Sequence, residues 1–232
     1  MQDLAPFENQ IREVSSFEAL VTTPFKGEIN AICWNRTLKG DFAEIVDKFE
    51  ITENLEEIDL DQLRDLQVSE QGNLAREIIL NDYQLLKNQG ASPSLNIIEY
   101  YERDDIFPFF PTDVYSFHVD RSPIPTATFL CTYFGAASEL ISNAAAKQKV
   151  LIPEIRAELR KLFQGKEADF DAFLTENFFD LHYEVKDAAR ITNLGIGNLW
   201  RLAVDHPESG CLACIHRAPK EKIGEKRLLL IC

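Results

Sequence analysis

Apolar residues recur at helical spacing in the first third of the chain and at strand spacing after it. From Asp41 to Glu50, Phe42, Ile45, Val46 and Phe49 fall at i, i+3, i+4 and i+7, which predicts a helix. Asp41, just after Gly40, is placed to cap it. A longer helix is predicted over Asn73 to Asn88, where Leu74, Ile78 and Leu85, with Ala75, Ile79 and Leu86, make a broad apolar face. Gly90 stops it, and Ser92-Pro93 breaks the pattern. A weaker helical segment covers Leu60 to Leu66, and Glu28 to Trp34 is compatible with a strand. Residues 1–92 therefore read as a helical region packed on a core built by the remainder of the chain.

From Leu95 the period changes. Leu95 to Tyr101 is strand-like, and Pro108 and Pro111 bound an aromatic connector, Phe107, Phe109 and Phe110, expected to lie as a lid over the core. Val114 to Asp120 alternates, with Tyr115, Phe117 and Val119 on one face and Ser116, His118 and Asp120 on the other. Thr126 to Phe134 is rich in β-formers and ends at Gly135. Between about 137 and 190 the pattern turns helical again. Pro153 opens one helix, with Ile155, Leu159 and Leu162 inward, and Asp169 to Phe179 forms a second, with Phe170, Phe173, Leu174 and Phe178 on one side. Strands resume at Leu199–Val204, Cys211–His216 and Arg227–Cys232, with Gly210 and Gly224 at the turns. The expected fold is mixed α/β (α+β): a β domain over 93–232, interrupted by a helical insertion and joined to the N-terminal region as one structural unit.

Composition narrows the function classes. At 232 residues and 45% hydrophobic content the chain can bury a sizeable core. A net charge of −14 repels phosphate backbones and disfavours nucleic acid as a partner. The acid is densest from Glu53 to Asp65, read as a solvated helical face. No run of about 18 apolar residues exists, so no membrane span is expected. The start, Met1 to Pro6, lacks the basic flank and apolar stretch of a secretory signal, which points to the cytoplasm. Five cysteines, an odd number, fit reduced thiols. Cys211-x-x-Cys214 has no second pair to complete a zinc site and is read as ordinary apolar packing.

The candidate chemistry sits on the strands. A strand points His118 and Asp120 into one space, since they are two apart. His216 ends a later strand, and Arg227 opens the last one after ten intervening residues. Two neutral imidazoles and one carboxylate bind Fe(II) on one face and leave the opposite positions open. A 2-oxo acid can fill two of these. The far carboxylate of 2-oxoglutarate needs a buried, permanently charged, forked donor, which an arginine supplies. Each part has a plain structural alternative: His118 bonded to Asp120 or to a backbone carbonyl, and Arg227 paired with Glu225 or another acid. His182, among aromatic residues, reads as structural or surface, and His206, in the turn Asp205-His206-Pro207, as exposed. Trp34 and Trp200 read as core anchors.

This pattern resembles the Fe(II)- and 2-oxoglutarate-dependent dioxygenases, whose fold is a double-stranded β-helix, or jelly-roll. Residues 112–136 and 199–232 carry the resemblance. Phe-His-Val-Asp followed by Phe-Leu-Cys-Thr-Tyr-Phe-Gly, and His-Arg-Ala-Pro followed by Gly-Glu-Lys-Arg-Leu-Leu-Leu, also resemble an uncharacterised bacterial family that brings no activity with it. The resemblance implies that His118, Asp120 and His216 ligate Fe(II) or another divalent metal and that Arg227 holds the 2-oxoglutarate carboxylate. Tyr133, Thr132 or Tyr115 would assist with a hydroxyl. The implied activity is hydroxylation of a small-molecule or peptide substrate that the sequence does not identify. Two other classes stay open: a cupin-like metal protein or metal-dependent enzyme that uses the same ligands without 2-oxoglutarate, and a non-catalytic module with a degenerate site.

Overall fold

Twelve strands and six α-helices organise the described residues of the computed structural model, which are 9–104, 106–186, 190–220, 222 and 224–232. The strands in chain order are β1 (Ile11–Val14), β2 (Ala31–Trp34), β3 (Leu55–Glu57), β4 (Ser94–Ile98), β5 (Ala127–Phe134), β6 (Glu139–Ile141), β7 (Ala146–Gln148), β8 (Tyr183–Val185), β9 (Ile191–Asn193), β10 (Leu199–Ala203), β11 (Ile215–Arg217) and β12 (Arg227–Ile231). The helices are α1 (Phe17–Thr22), α2 (Phe42–Lys48), α3 (Leu60–Asp65), α4 (Glu70–Asn88), α5 (Pro153–Leu162) and α6 (Phe170–Glu176). The result is a mixed α/β fold with one large, mostly antiparallel sheet. Its seven strands run in the order β1-β2-β10-β5-β12-β4-β3, and only β1 and β2 are parallel. A three-stranded sheet, β11-β6-β9, and a two-stranded one, β7-β8, complete it. No helix among the described residues is long and apolar enough to cross a membrane.

Strand alternation gives the large sheet two different faces. On β5 and β12, Phe129, Cys131, Tyr133, Leu228 and Leu230 join one cluster with Phe42 and Ile45 of α2 and Ala75, Ile79 and Leu86 of α4. The opposite side chains, Leu130 and Leu229, pack with Trp200 and Leu202 of β10 and meet Leu140 and Cys214 from the other side. The helices thus cover one face, and the small sheet covers the other.

Capping explains why the helices start where they do. The Asp41 carboxylate accepts from the Glu44 amide at the head of α2. Ser69 accepts from Gly72 at the head of α4, while Glu44 accepts from the Ser69 amide and tethers the two helices. Gly90, at φ +89°, takes the left-handed conformation that ends α4. Beneath α4, Asp82 receives both guanidinium NH groups of Arg36 at 2.8 and 2.7 Å and the Tyr133 hydroxyl at 2.8 Å.

Several sequence expectations need correction. Residues before 93 are not only helical: β1, β2 and β3 supply both edges of the large sheet. Edge strands such as β1 and β3 are half-solvated and short, so they lack clean alternation. The acidic run Glu53 to Asp65 is accordingly part strand and part helix. The insertion carries β6, β7 and β8 as well as α5 and α6, since three-residue strands leave no periodic signal. Val114 to Asp120 is not one strand. The Asp113 carbonyl and carboxylate accept from Ser116 and Tyr115 and make a turn, after which the chain extends from Phe117. Of Cys211 to His216, only the end is strand, and Leu212 is 69% exposed. The Met1–Pro6 reading lies outside the described residues.

Asp82→Ala leaves the buried Arg36 cation uncompensated. We expect a loss of about 3–5 kcal/mol in urea unfolding, with divalent-metal affinity unchanged because Asp82 lies behind the sheet. A change below about 1 kcal/mol would show that Arg36 is solvated in place of being paired.

Candidate metal centre

His118 and His216 are held opposite each other by reciprocal backbone bonds, each amide donating to the other's carbonyl at 2.9 Å. On its other side the His118 segment pairs with the chain entering β8. The Val119 amide donates to Leu181 at 3.1 Å and the Tyr183 amide to Phe117 at 2.8 Å, which sets His182 opposite His118. Directly opposed residues of antiparallel strands point to the same face. Three of the four histidines therefore form one row, with ring centroids 4.7 Å apart for His118–His216 and 5.9 Å apart for His118–His182.

Asp120, two residues past His118, shares that face. Its carboxylate lies 3.9 Å from His118 Nε2 and 3.6 Å from His216 Nε2. One ligand atom from each of the three residues falls within 4.8 Å of the other two. Both imidazoles are oriented the same way. His118 Nδ1 donates to the Ser116 carbonyl at 2.7 Å and His216 Nδ1 to the Cys214 carbonyl at 3.2 Å. Such bonds fix the tautomer and leave the Nε2 lone pairs facing Asp120. Burial pushes the His118 imidazole down to about 4, with His216 adding to the effect, so His118 is neutral at physiological pH. Burial of Asp120 opposes ionisation, but His216, a hydrogen bond from the Thr128 hydroxyl, and His118 together hold its carboxyl below the usual range. Two imidazole nitrogens and one carboxylate oxygen converging on one point make a divalent-cation donor set.

Arg227 opens β12 on the inner face of the large sheet. It is 7% exposed, and its terminal nitrogen donates to Ser138 Oγ at 3.1 Å and Thr132 Oγ1 at 3.4 Å. It also bonds the Tyr101 hydroxyl, while its Nε is buried without a partner. Among the described residues it has no carboxylate in salt-bridge range, and Glu225 bonds Lys222. Gly135 makes this approach feasible: it sits at φ +81° without a Cβ, and one would collide with the Lys226 carbonyl oxygen and lie 3.0 Å from Arg227 Cα. Tyr115 lines a cavity with Arg227, Tyr101 and Ala136. Its hydroxyl accepts from the Tyr101 amide at 2.7 Å, and its ring lies beneath the Arg103 guanidinium.

The structure thus brings together His118, Asp120 and His216, and separately Arg227 and Thr132, with Tyr115 one residue removed. It places Tyr133 elsewhere, because the pleat of β5 sends that side chain to the helix-covered face and onto Asp82. The two groups share one strand. Thr128 meets Asp120 and Thr132 meets Arg227 on the inner face of β5, about 13 Å apart along the backbone.

Sequence reasoning missed Tyr101, Ser138 and His182. Tyr101 follows a strand-like run, Ser138 follows Gly135 by three, and His182 stands between apolar Leu181 and Tyr183. His182 is 6% exposed, with its ring 6.0 Å from Phe110, and its Nδ1 has no partner among the described residues. The Phe107–Phe110 connector joins the core of the insertion: Phe110 is fully buried, and both Phe107 and Phe110 pack against Phe179. His206 is half-buried, accepting from the Glu208 amide. Cys214 is buried, Cys211 is half-buried, and all five cysteines are free. No family model, curated protein or solved structure matches the chain.

Titration with Mn(II) or Co(II) should reveal one site, and His216→Ala should weaken it at least about 100-fold, since even outer-shell partners are worth about 10–100-fold. Equal affinity in the variant would remove His216 from the ligand set.

Proposed function

We propose that this chain is a non-haem Fe(II)- and 2-oxoglutarate-dependent oxygenase of the hydroxylase type, built on a jelly-roll core. The observation that carries the reading is Arg227. A buried guanidinium ringed by the hydroxyls of Tyr101, Thr132 and Ser138, with no carboxylate partner among the described residues, is an anion site waiting for its charge. An arginine clamped by a protein carboxylate would have favoured metal chemistry without 2-oxoglutarate.

Strand order supports the jelly-roll. Taken in sequence, β4, the His118 segment, β5, β6, β9, β10, β11 and β12 fall on the large, small, large, small, small, large, small and large sheets. With β7 and β8 set aside as a separate hairpin of the insertion, that alternation is what the winding of a double-stranded β-helix calls for. It sets Arg227 and the His/Asp cluster on facing inner surfaces.

The donor set fits a divalent ion, and the Arg227 cradle fits the distal carboxylate of a five-carbon diacid. With dioxygen as the oxidant, Fe(II) and 2-oxoglutarate would supply oxidative decarboxylation coupled to hydroxylation of an unactivated C–H bond, one oxygen atom ending in the succinate and the other in the product. The chain's own residues orient and desolvate. Ser116 and Cys214 carbonyls hold the two imidazoles, Thr128 holds Asp120, and the single carboxylate leaves a divalent site with net positive charge that favours an anionic chelator. Arg227 fixes the far end of the diacid and so selects its length. Leu130 and Leu229 line the space between the sheets and exclude water.

Calorimetry checks this directly. Mn(II)-loaded protein should bind 2-oxoglutarate and metal-free protein should not, and Arg227→Met should weaken binding about 30-fold or more. Metal-independent binding, or full affinity in the Arg227 variant, would sink the reading.

A further inference from the structure

The third histidine of the row has no role in the reading above. His182 is 6% exposed, stands opposite His118 on the neighbouring segment, and carries a buried Nδ1 with no hydrogen-bond partner among the described residues. An unsatisfied buried polar atom costs about 1–3 kcal/mol, and such atoms cluster where a ligand completes the bonding. His182 also lines a cleft of about 210 Å³ together with His118, Asp120, Thr112, Val114 and Leu181. The cleft therefore opens onto two of the three metal-ligating residues. Its remaining cation, Arg121, is neutralised by Asp180 at 2.6 Å and Asp205 at 2.7 Å, so that beyond the ligand atoms of His118 and Asp120 themselves the His182 imidazole is the lining group with a nitrogen left unbonded among the described residues. His182 falls outside the group of ligand atoms lying within 4.8 Å of one another, so it stands beside the centre and not in it.

We propose that His182 hydrogen-bonds whatever occupies the metal's coordination position facing this cleft, a small anion or an oxygen of the substrate, and so marks the side from which substrate approaches. This rests on the metal-centre reading, and the test separates the two. Co(II)-loaded protein is titrated with azide and followed by its visible absorption, alongside Co(II) affinity, for the wild type, His182→Ala and His182→Phe. The phenylalanine variant retains the packing against Phe110 if the alanine variant fails to fold. The expected result is azide binding weakened about tenfold or more in either variant, with Co(II) affinity within about twofold of wild type. Unchanged azide affinity in a folded variant overturns the proposal. A large loss of Co(II) affinity also overturns it, by making His182 a ligand. Absence of Co(II) binding in the wild type would instead defeat the metal-centre reading itself.

Discussion

The alternation of β5 is the constraint on which everything else depends. It is central in the large sheet, hydrogen-bonded to β10 on one side and β12 on the other. Its period of two sends Phe129, Cys131 and Tyr133 into the helix-covered core and Thr128, Leu130 and Thr132 toward the small sheet. Thr128 then supports Asp120, and Thr132 supports Arg227. A slip of one residue would exchange these sets, turning Phe129, Cys131 and Tyr133 toward the site and two threonines under α2. The apolar packing of the outer face therefore fixes the polar geometry of the inner one.

Arg36 and Arg227, with side chains little exposed, lie on opposite sides of that sheet, and their contrast is instructive. Arg36 is matched twice over by Asp82, and the carboxylate also takes the Tyr133 hydroxyl, so charge and hydrogen bonds are satisfied. Among the described residues Arg227 has only hydroxyl partners, and burial depresses its pKa, with Tyr101 acting in the other direction. A buried charge without a counter-charge is destabilising. Folding tolerates it here because eighteen buried residues of the outer cluster supply stability elsewhere. Opposite faces of one sheet thus differ: the outer face carries the helix-covered apolar core, and the inner face carries Arg227 and the polar groups around it.

How much of this is legible in the sequence depends on element length and period. Helices α2 and α4 span about two turns or more and carry caps, so their apolar spacing reveals them. Strands β4, β5, β10 and β12 are long enough to show β character. Strands of three residues, such as β6, β7 and β8, are stabilised by partners far away in the chain and leave no local trace. The site behaves likewise. His118, Asp120, His216 and Arg227 stand out because their residue types and order carry chemical meaning. Strand pleat distinguishes Thr132 from Tyr133, but only once the register is known. Tyr101 and Ser138 enter through tertiary contact with Arg227, and no spacing rule points to them.

His182 shows why the insertion belongs to the site. Leu181 and Tyr183 bond the backbone of Val119 and Phe117, so the segment entering β8 extends the small sheet past His118. The same segment bonds Lys149 through the His182 carbonyl, and Lys149 in turn donates to Ser116 Oγ, the residue whose carbonyl holds His118 Nδ1. The cluster of Phe110, Phe170, Leu174 and Phe179 anchors all of this. One side of the His118 segment is therefore built by β11, which supplies His216, and the other by the insertion. Changes in α5 or α6 that shift Phe179 would move the His182 wall before they reached His216, because the direct backbone bonds between His118 and His216 do not pass through the insertion. The His118–Asp120–His216 geometry is held by the sheet, and the cleft beside it by the insertion, which lets the second vary while the first stays fixed.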